Sequence, residues 1–265
     1  LPLFEQNINK TFDNKLTHFT FKFDKNISKK VDYMSLNAIT KDFSRYAAIF
    51  DMDGVISHTN PFHAEAFRAF FKNHNVQQAT EEEFEQHMYG KHNSYIMQHF
   101  FQRPISPEEL RTLEFEKEQL FRVIYKEHVA PIKGLIEFLT ELKNNGFKLA
   151  VATSAPRENM DLILDELNIR QLFSSTLSSE DVKLHKPHPE VYLKSAENLQ
   201  IPVDRCIVFE DSFSGITAAK NAEMKVVAVL STHKKEELPA SDDYINNYTE
   251  ISVANVKAIL KTQEL

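Results

Sequence analysis

Asp51 and Asp53 stand two residues apart behind an apolar run, in Tyr46-Ala47-Ala48-Ile49-Phe50-Asp51-Met52-Asp53-Gly54. A glycine that permits a tight turn lets both carboxylates face one pocket while backbone N–H groups turn toward an anion. A calcium loop does not fit, because Gly54 occupies loop position four rather than six and Phe62 takes the place of the terminal glutamate. Thr153-Ser154-Ala155-Pro156 follows the apolar run Lys148 to Ala152 and opens a helix near Pro156. A hydroxyl with free N–H groups at a helix start suits a phosphate. Lys186 lies in His185-Lys186-Pro187-His188-Pro189, where two prolines stiffen the segment, and Glu210-Asp211 follow Cys206-Ile207-Val208-Phe209. Taken singly, these parts are a turn, an N-cap, a loop lysine and a solvated acidic pair. Taken together they supply a nucleophilic carboxylate, a second carboxylate, a hydroxyl, an ammonium and an acidic cation site. A phosphate monoester is nearly a dianion and repels an attacking carboxylate. Mg2+, which prefers oxygen ligands, and Lys186 would supply the positive charge such a reaction needs.

The elements that must position these groups alternate between strand and helix. Tyr46 to Phe50, Phe147 to Ala152, Cys206 to Phe209 and Val226 to Val229 read as buried parallel strands. Between them, Leu135 to Leu142, Met160 to Leu167, Val191 to Ala196 and Gly215 to Ala222 carry helical spacing. Alternating units of this kind predict an α/β fold with a parallel sheet and helices on both faces, and ligands beyond the carboxyl ends of the strands. Residues 61 to 129 are helical instead. Phe62, Ala66 and Phe70 share one face, and Ser106-Pro107-Glu108-Glu109 reads as a capping box that opens a helix with Leu110, Leu113, Leu120 and Ile124 on its apolar side.

Composition removes several classes. The 265 residues are 42% hydrophobic and 26% charged, which is ordinary globular usage, and the net charge of −7 offers no footprint for nucleic acid or an anionic membrane. No run approaches the length of a bilayer span, and a charged stretch leading into an apolar one is not seen at the start. Cys206 is the only cysteine, which excludes an intrachain disulfide and points to the cytoplasm. Residues 1–44 read as an N-terminal extension to which the sequence assigns no role, and nothing in the sequence sets the oligomeric state.

With these motifs in place, the chain resembles the haloacid dehalogenase superfamily of phosphatases and mutases over about residues 46 to 250. The resemblance rests on DMDGV, VATS, HKPHP and FEDSFSGI as a group. It implies a Rossmann-like core made of residues 45–57 and 131–265, with a helical cap, residues 58–130, inserted between them. It implies further that Asp51 forms an aspartyl-phosphate, that Asp53 acts as acid and then base, and that Thr153 and Lys186 hold the phosphoryl group. Magnesium would be bound by Asp51, the Asp53 carbonyl and Asp211, with Glu210 direct or one layer behind. Asp53 sets the chain apart from the dehalogenases and the phosphonoacetaldehyde hydrolases, which lack it. The cap resembles that of β-phosphoglucomutase, where Thr59, His63 and Lys117 match residues serving proton transfer or phosphate binding. The bland alternatives are a snorkelling lysine and a surface histidine. The mutase's phosphate-gripping arginine is matched by Asn93, with Lys91 and His92 nearby, and Ser154 borders the phosphate loop. Losing that guanidinium favours a phosphatase of small phosphorylated metabolites, sugar phosphates among them, over a mutase.

Overall fold

The computed structural model describes residues 46–88 and 93–261. The expectations for residues 1–44, for Lys91 and for His92 lie outside the described residues. Strands β1 (Ala47–Phe50), β2 (Lys148–Ala152), β3 (Ser175–Leu177), β4 (Cys206–Glu210), β5 (Lys225–Val229) and β6 (Asp243–Ile245) form one sheet in the order β3-β2-β1-β4-β5-β6. Every pairing is parallel. The near-continuous apolar character of the central strands follows from burial on both faces. Alternate residues serve opposite cores: Phe50, Val151 and Phe209 on one side, Ile49, Ala152 and Val208 on the other.

Helices α5 (Leu135–Asn144), α6 (Arg157–Glu166) and α9 (Val253–Lys261) cover the first face. Helices α7 (Glu190–Leu199) and α8 (Phe213–Asn221) cover the second. The chain runs outward from β1 to β3, then crosses back to β4 and runs the other way. That reversal beside β1 is where an open α/β sheet leaves a crevice for a ligand.

Between β1 and α5 lie α1 (Asn60–Asn73), α2 (Glu81–His87), α3 (Asn93–Phe101) and α4 (Pro107–Tyr125). They bury their own cluster around Phe67, Phe70, Phe71, Phe84, Met97 and Leu113. At the start of α4 the capping box is only half made: Ser106 accepts the Glu109 N–H at 3.2 Å, while the Glu109 carboxylate is taken by Arg103. On α4, Leu110, Leu113, Leu120 and Ile124 pack against the apolar clusters as expected, but the fully buried side is wider. Its buried positions are Leu113, Lys117, Glu118, Phe121 and Tyr125, because its first half packs in the insert's cluster and its last turns join the core of the sheet.

The chain leaves and re-enters the sheet domain side by side. Ser57 bridges to Asp53 in parallel and to Pro131 in antiparallel fashion, and the Ile132 N–H donates to the Ile56 carbonyl at 2.9 Å. The Ser57 hydroxyl donates to the Ala130 carbonyl and meets the Tyr125 hydroxyl at 2.5 Å, which pins the last turn of α4 to the same crossing.

Candidate active site

β1, β2 and β4 are neighbours, so the groups at their carboxyl ends meet. Asp51 follows β1, only 6% exposed, with its N–H donated to the Phe209 carbonyl of β4 at 3.0 Å. The turn behind it closes on the Met52 carbonyl, which accepts from Val55 and Ile56 at 3.2 and 2.8 Å. Gly54 adopts φ +73°, and a Cβ there would lie 2.0 Å from Asp211 Oδ2. The glycine is needed both for the left-handed turn and for the approach of the second acidic strand end.

Lys186 ties the strand ends together. Its ammonium donates to Asp51 Oδ1 at 2.5 Å, to Glu210 Oε1 at 2.8 Å and to the Ala152 carbonyl at 3.1 Å, and lies 4.9 Å from the centre of the Tyr192 ring. Burial alone would lower its pKa, yet Asp51 and Glu210 push it well above the ordinary lysine value. The two carboxylates therefore favour the charged ammonium. Glu210 is itself saturated: Oε1 accepts from Lys186 and the Tyr192 hydroxyl, and Oε2 from the Asp211 N–H, the Ser212 N–H and the Ser212 hydroxyl. These five donors leave no lone pair for direct cation binding and set Glu210 behind the site as the anchor of Lys186. Gly215 makes room for it, since a Cβ there would fall 1.6 Å from Glu210 Oε1.

Thr153 follows β2, buried, and its hydroxyl oxygen accepts the Ala155 N–H at 3.0 Å, so the hydroxyl proton remains for an anion. Ser154, next to it, is exposed at the pocket wall. Asp211 follows β4 and accepts the Thr232 hydroxyl, which in turn accepts Asn60 Nδ2 at 2.8 Å.

Asp51 and Glu210 share the one ammonium, and Asp53 and Asp211 line the same cavity. Burial, only partly offset by Lys186, raises Asp51 to about 7, with Glu210 and Asp53 adding to the rise. Burial, then Glu210 and Asp51, raises Asp211 well above the usual carboxylate range. Such an excess of buried negative charge is the electrostatic environment a divalent cation would neutralise. Among the described residues no three His, Cys, Asp or Glu side chains form a complete cage. Mg2+ keeps several waters and takes one or two carboxylates beside a substrate phosphate, so Asp51 and Asp211 fit it.

The residues of the helical insert converge on Asp53. The Thr59 hydroxyl donates to Asp53 Oδ1 at 2.6 Å, and His63 Nε2 lies 3.7 Å from the same oxygen. His63 is stacked on Phe121 with ring centres 3.8 Å apart, and its Nδ1 meets Lys117 Nζ at 2.8 Å. Lys117 does not snorkel: it is 1% exposed, 4.4 Å from the centre of the Phe67 ring, and paired with Glu118 at 2.8 Å. Asn93 donates to Glu118 Oε1 at 2.6 Å, so its amide already has a partner within the insert. His58 is exposed.

A cavity of about 510 Å³ joins these groups, with Asp51, Thr153, Lys186 and Asp211 at one end and Phe67, Met88, Ile96 and Phe115 at the other. Sequence reasoning missed Tyr192, Thr232, Glu118 and Asn159. Thr232 follows β5 and was open to the same strand-end argument; the other three carry no spacing signal.

Residues 48–229 match the family of haloacid dehalogenase-like hydrolases. A phosphorylated carbohydrates phosphatase from Thermotoga maritima is 32% identical over 180 residues, covering 66% of this chain and 81% of the relative. A chloroplastic 5-amino-6-(5-phospho-D-ribitylamino)uracil phosphatase from Arabidopsis thaliana is 33% identical over 156 residues, 59% of this chain, of which 42% of the plant protein is covered. The chain thus spans less than half of that relative's length. Among solved structures, an Entamoeba histolytica HAD hydrolase of family IA, variant 3, superposes with a TM-score of 0.77 at 25% identity, covering 82% of this chain and 99% of the other. With a family match across more than half its length and the strand-end acids, lysine and hydroxyl assembled as described, the chain belongs to the haloacid dehalogenase-like hydrolase family.

Proposed function

We propose that the protein is a magnesium-dependent phosphatase that releases phosphate from a small phosphorylated metabolite, with sugar phosphates its best-supported class, through an aspartyl-phosphate on Asp51. The observation that carries this reading is Lys186 Nζ held between Asp51 Oδ1 and Glu210 Oε1, at 2.5 and 2.8 Å, and bonded to the Ala152 carbonyl just before Thr153. A phosphoryl group approaching Asp51 meets the Lys186 ammonium and the Thr153 hydroxyl. Mg2+, held by Asp51, the Asp53 carbonyl and Asp211, would supply the remaining positive charge on the phosphoryl oxygens. Asp53 protonates the leaving oxygen and then takes a proton from the attacking water. Residues 58–130 serve as the cap that closes over the cavity and excludes bulk water. The Thermotoga relative supports the carbohydrate class. The single cysteine, buried and unpaired, suits a reducing cytoplasm, and no described helix is long and apolar enough to cross a membrane.

A mutase using the same phosphoaspartate is the second reading. It is favoured by Thr59 and His63 around Asp53, and opposed by Asn93, whose amide is spent on Glu118. The deciding experiment is incubation with magnesium and a panel of sugar phosphates, nucleotides and phosphoglycolate, reading free phosphate. Stoichiometric release, abolished by Asp51→Asn, is expected. Conversion of β-glucose 1-phosphate to glucose 6-phosphate without phosphate release would replace this reading with the mutase.

A further inference from the structure

Glu118 is a buried anion on α4, 4% exposed, whose partners come from three separate helices. Oε1 accepts from Lys117 Nζ at 2.8 Å and from Asn93 Nδ2, at the start of α3, at 2.6 Å. Oε2 accepts from Asn159 Nδ2 at 2.6 Å. Asn159 belongs to α6, the helix that follows the Thr153 loop, and is itself fully buried. Its amide oxygen accepts Arg122 Nη1 at 2.9 Å. Two α4 side chains one turn apart thus clasp a single asparagine of the sheet domain. An unpaired carboxylate at this depth would be costly, so the clasp is stable only while all its donors are present. Burial would raise the Glu118 pKa, but the Lys117 charge, with the hydrogen bonds from Lys117 and Asn93, holds it down to about 2.

The other end of the network reaches the proposed acid. The Lys117 ammonium has only protons to offer, so at 2.8 Å it makes His63 Nδ1 the acceptor. The neutral ring then carries its proton on Nε2, the nitrogen that points to Asp53 Oδ1 from 3.7 Å. That separation is longer than a hydrogen bond and would close with a small shift of α1 against β1. The face-to-face stack on Phe121 restricts the ring to that plane.

We propose that Glu118 is a positioning residue that couples docking of the helical insert on Asn159 to the orientation of Asp53, through Lys117 and His63. Undocking removes the Asn159 donor, frees Lys117 from its fixed place and releases His63 from the tautomer that faces Asp53. The acid is therefore aligned only when the insert is seated. This rests on the phosphatase reading for its kinetic consequence but not for the clasp itself.

The test compares wild type with Glu118→Gln, Asn159→Asp and the charge-keeping Glu118→Asp. It reads kcat/KM over phosphate monoesters whose leaving groups run from p-nitrophenol to sugar hydroxyls, together with hydrogen–deuterium exchange of α4 and α6. A basic leaving group needs the acid most, so the Gln and Asn159→Asp variants are expected to lose kcat/KM progressively along the series. The loss should reach about tenfold or more for the sugar phosphate, with faster exchange in α6 and partial recovery in Glu118→Asp. A loss equal across the series overturns the coupling, because it would mark general damage, and so does no loss. If wild type turns over no ester, the phosphatase reading fails by itself, and exchange alone decides the clasp: α4 and α6 exchanging as in wild type in both disruptive variants overturns it.

Discussion

Asp51 is held by opposing influences, burial and the neighbouring Glu210 and Asp53 carboxylates resisting its charged form while one ammonium favours it. Replacing it with asparagine should abolish turnover and, in magnesium-free buffer, raise the urea midpoint, by about 1 kcal/mol of stability, because charge crowding is relieved. Added magnesium should erase that advantage, and an Asp51→Asn protein less stable than wild type under all conditions would contradict the charge argument. Asp53→Asn is expected to lower kcat by about 10²–10⁴ with an unchanged circular dichroism spectrum. That Asp51, Asp53, Lys186 and Asp211 share one cavity was legible in the sequence: the three aspartates follow apolar runs whose ends the fold must bring to one edge, and Lys186 lies in a segment stiffened by two prolines. Glu118 was not: it lies in Glu114-Phe115-Glu116-Lys117-Glu118, where acids at alternate positions look like a solvated face. Only the meeting of α4 with α6, 41 residues later in the chain, makes it an interior residue. Tyr192 likewise reads as one more apolar position of α7, and its hydroxyl acquires a purpose only when Glu210 arrives from β4.

At the level of elements, the start of α8 presses on the end of β4 so closely that only a glycine fits between them. Gly215→Ala would place a methyl 1.6 Å from Glu210 Oε1 and must displace the carboxylate that anchors Lys186. The expected result is a loss of about 1–3 kcal/mol in urea unfolding with a larger proportional fall in turnover, since Lys186 loses its anchor. Normal turnover in that variant would show the anchor to be dispensable. The long strands were readable as apolar runs. β3 and β6 were not, being three-residue edge strands, Ser175-Thr176-Leu177 and Asp243-Tyr244-Ile245, too short and too polar to show a period. On α4 the spacing of Leu110, Leu113, Leu120 and Ile124 gave the packed side but not its full width, because a helix that packs first in one cluster and then in another does not keep one narrow stripe along its length.

For the whole molecule, the Glu118 clasp makes stability depend on acid. Its carboxyl is held down to about 2 in the folded chain against 4.5 ordinarily. The stabilisation is therefore complete above about pH 4.5 and disappears as pH falls toward 2, amounting to at most roughly 3 kcal/mol. Urea midpoints measured from pH 6 to pH 2 should fall more steeply for wild type than for Glu118→Gln, with the two curves converging at the acid end. Parallel curves would mean that the carboxylate contributes nothing through its charge. The paired crossing at Ser57 and Pro131 bears on the molecule in another way. Because the outgoing and returning strands of chain are hydrogen-bonded to each other at the rim of the sheet, both covalent connections to the inserted helices leave the sheet at one point. A module exchanged at that point must bring its own contacts to Asp53 and Asn159, which Thr59, His63 and Glu118 make here, so the inserted part is exchangeable only together with its hold on Asp53.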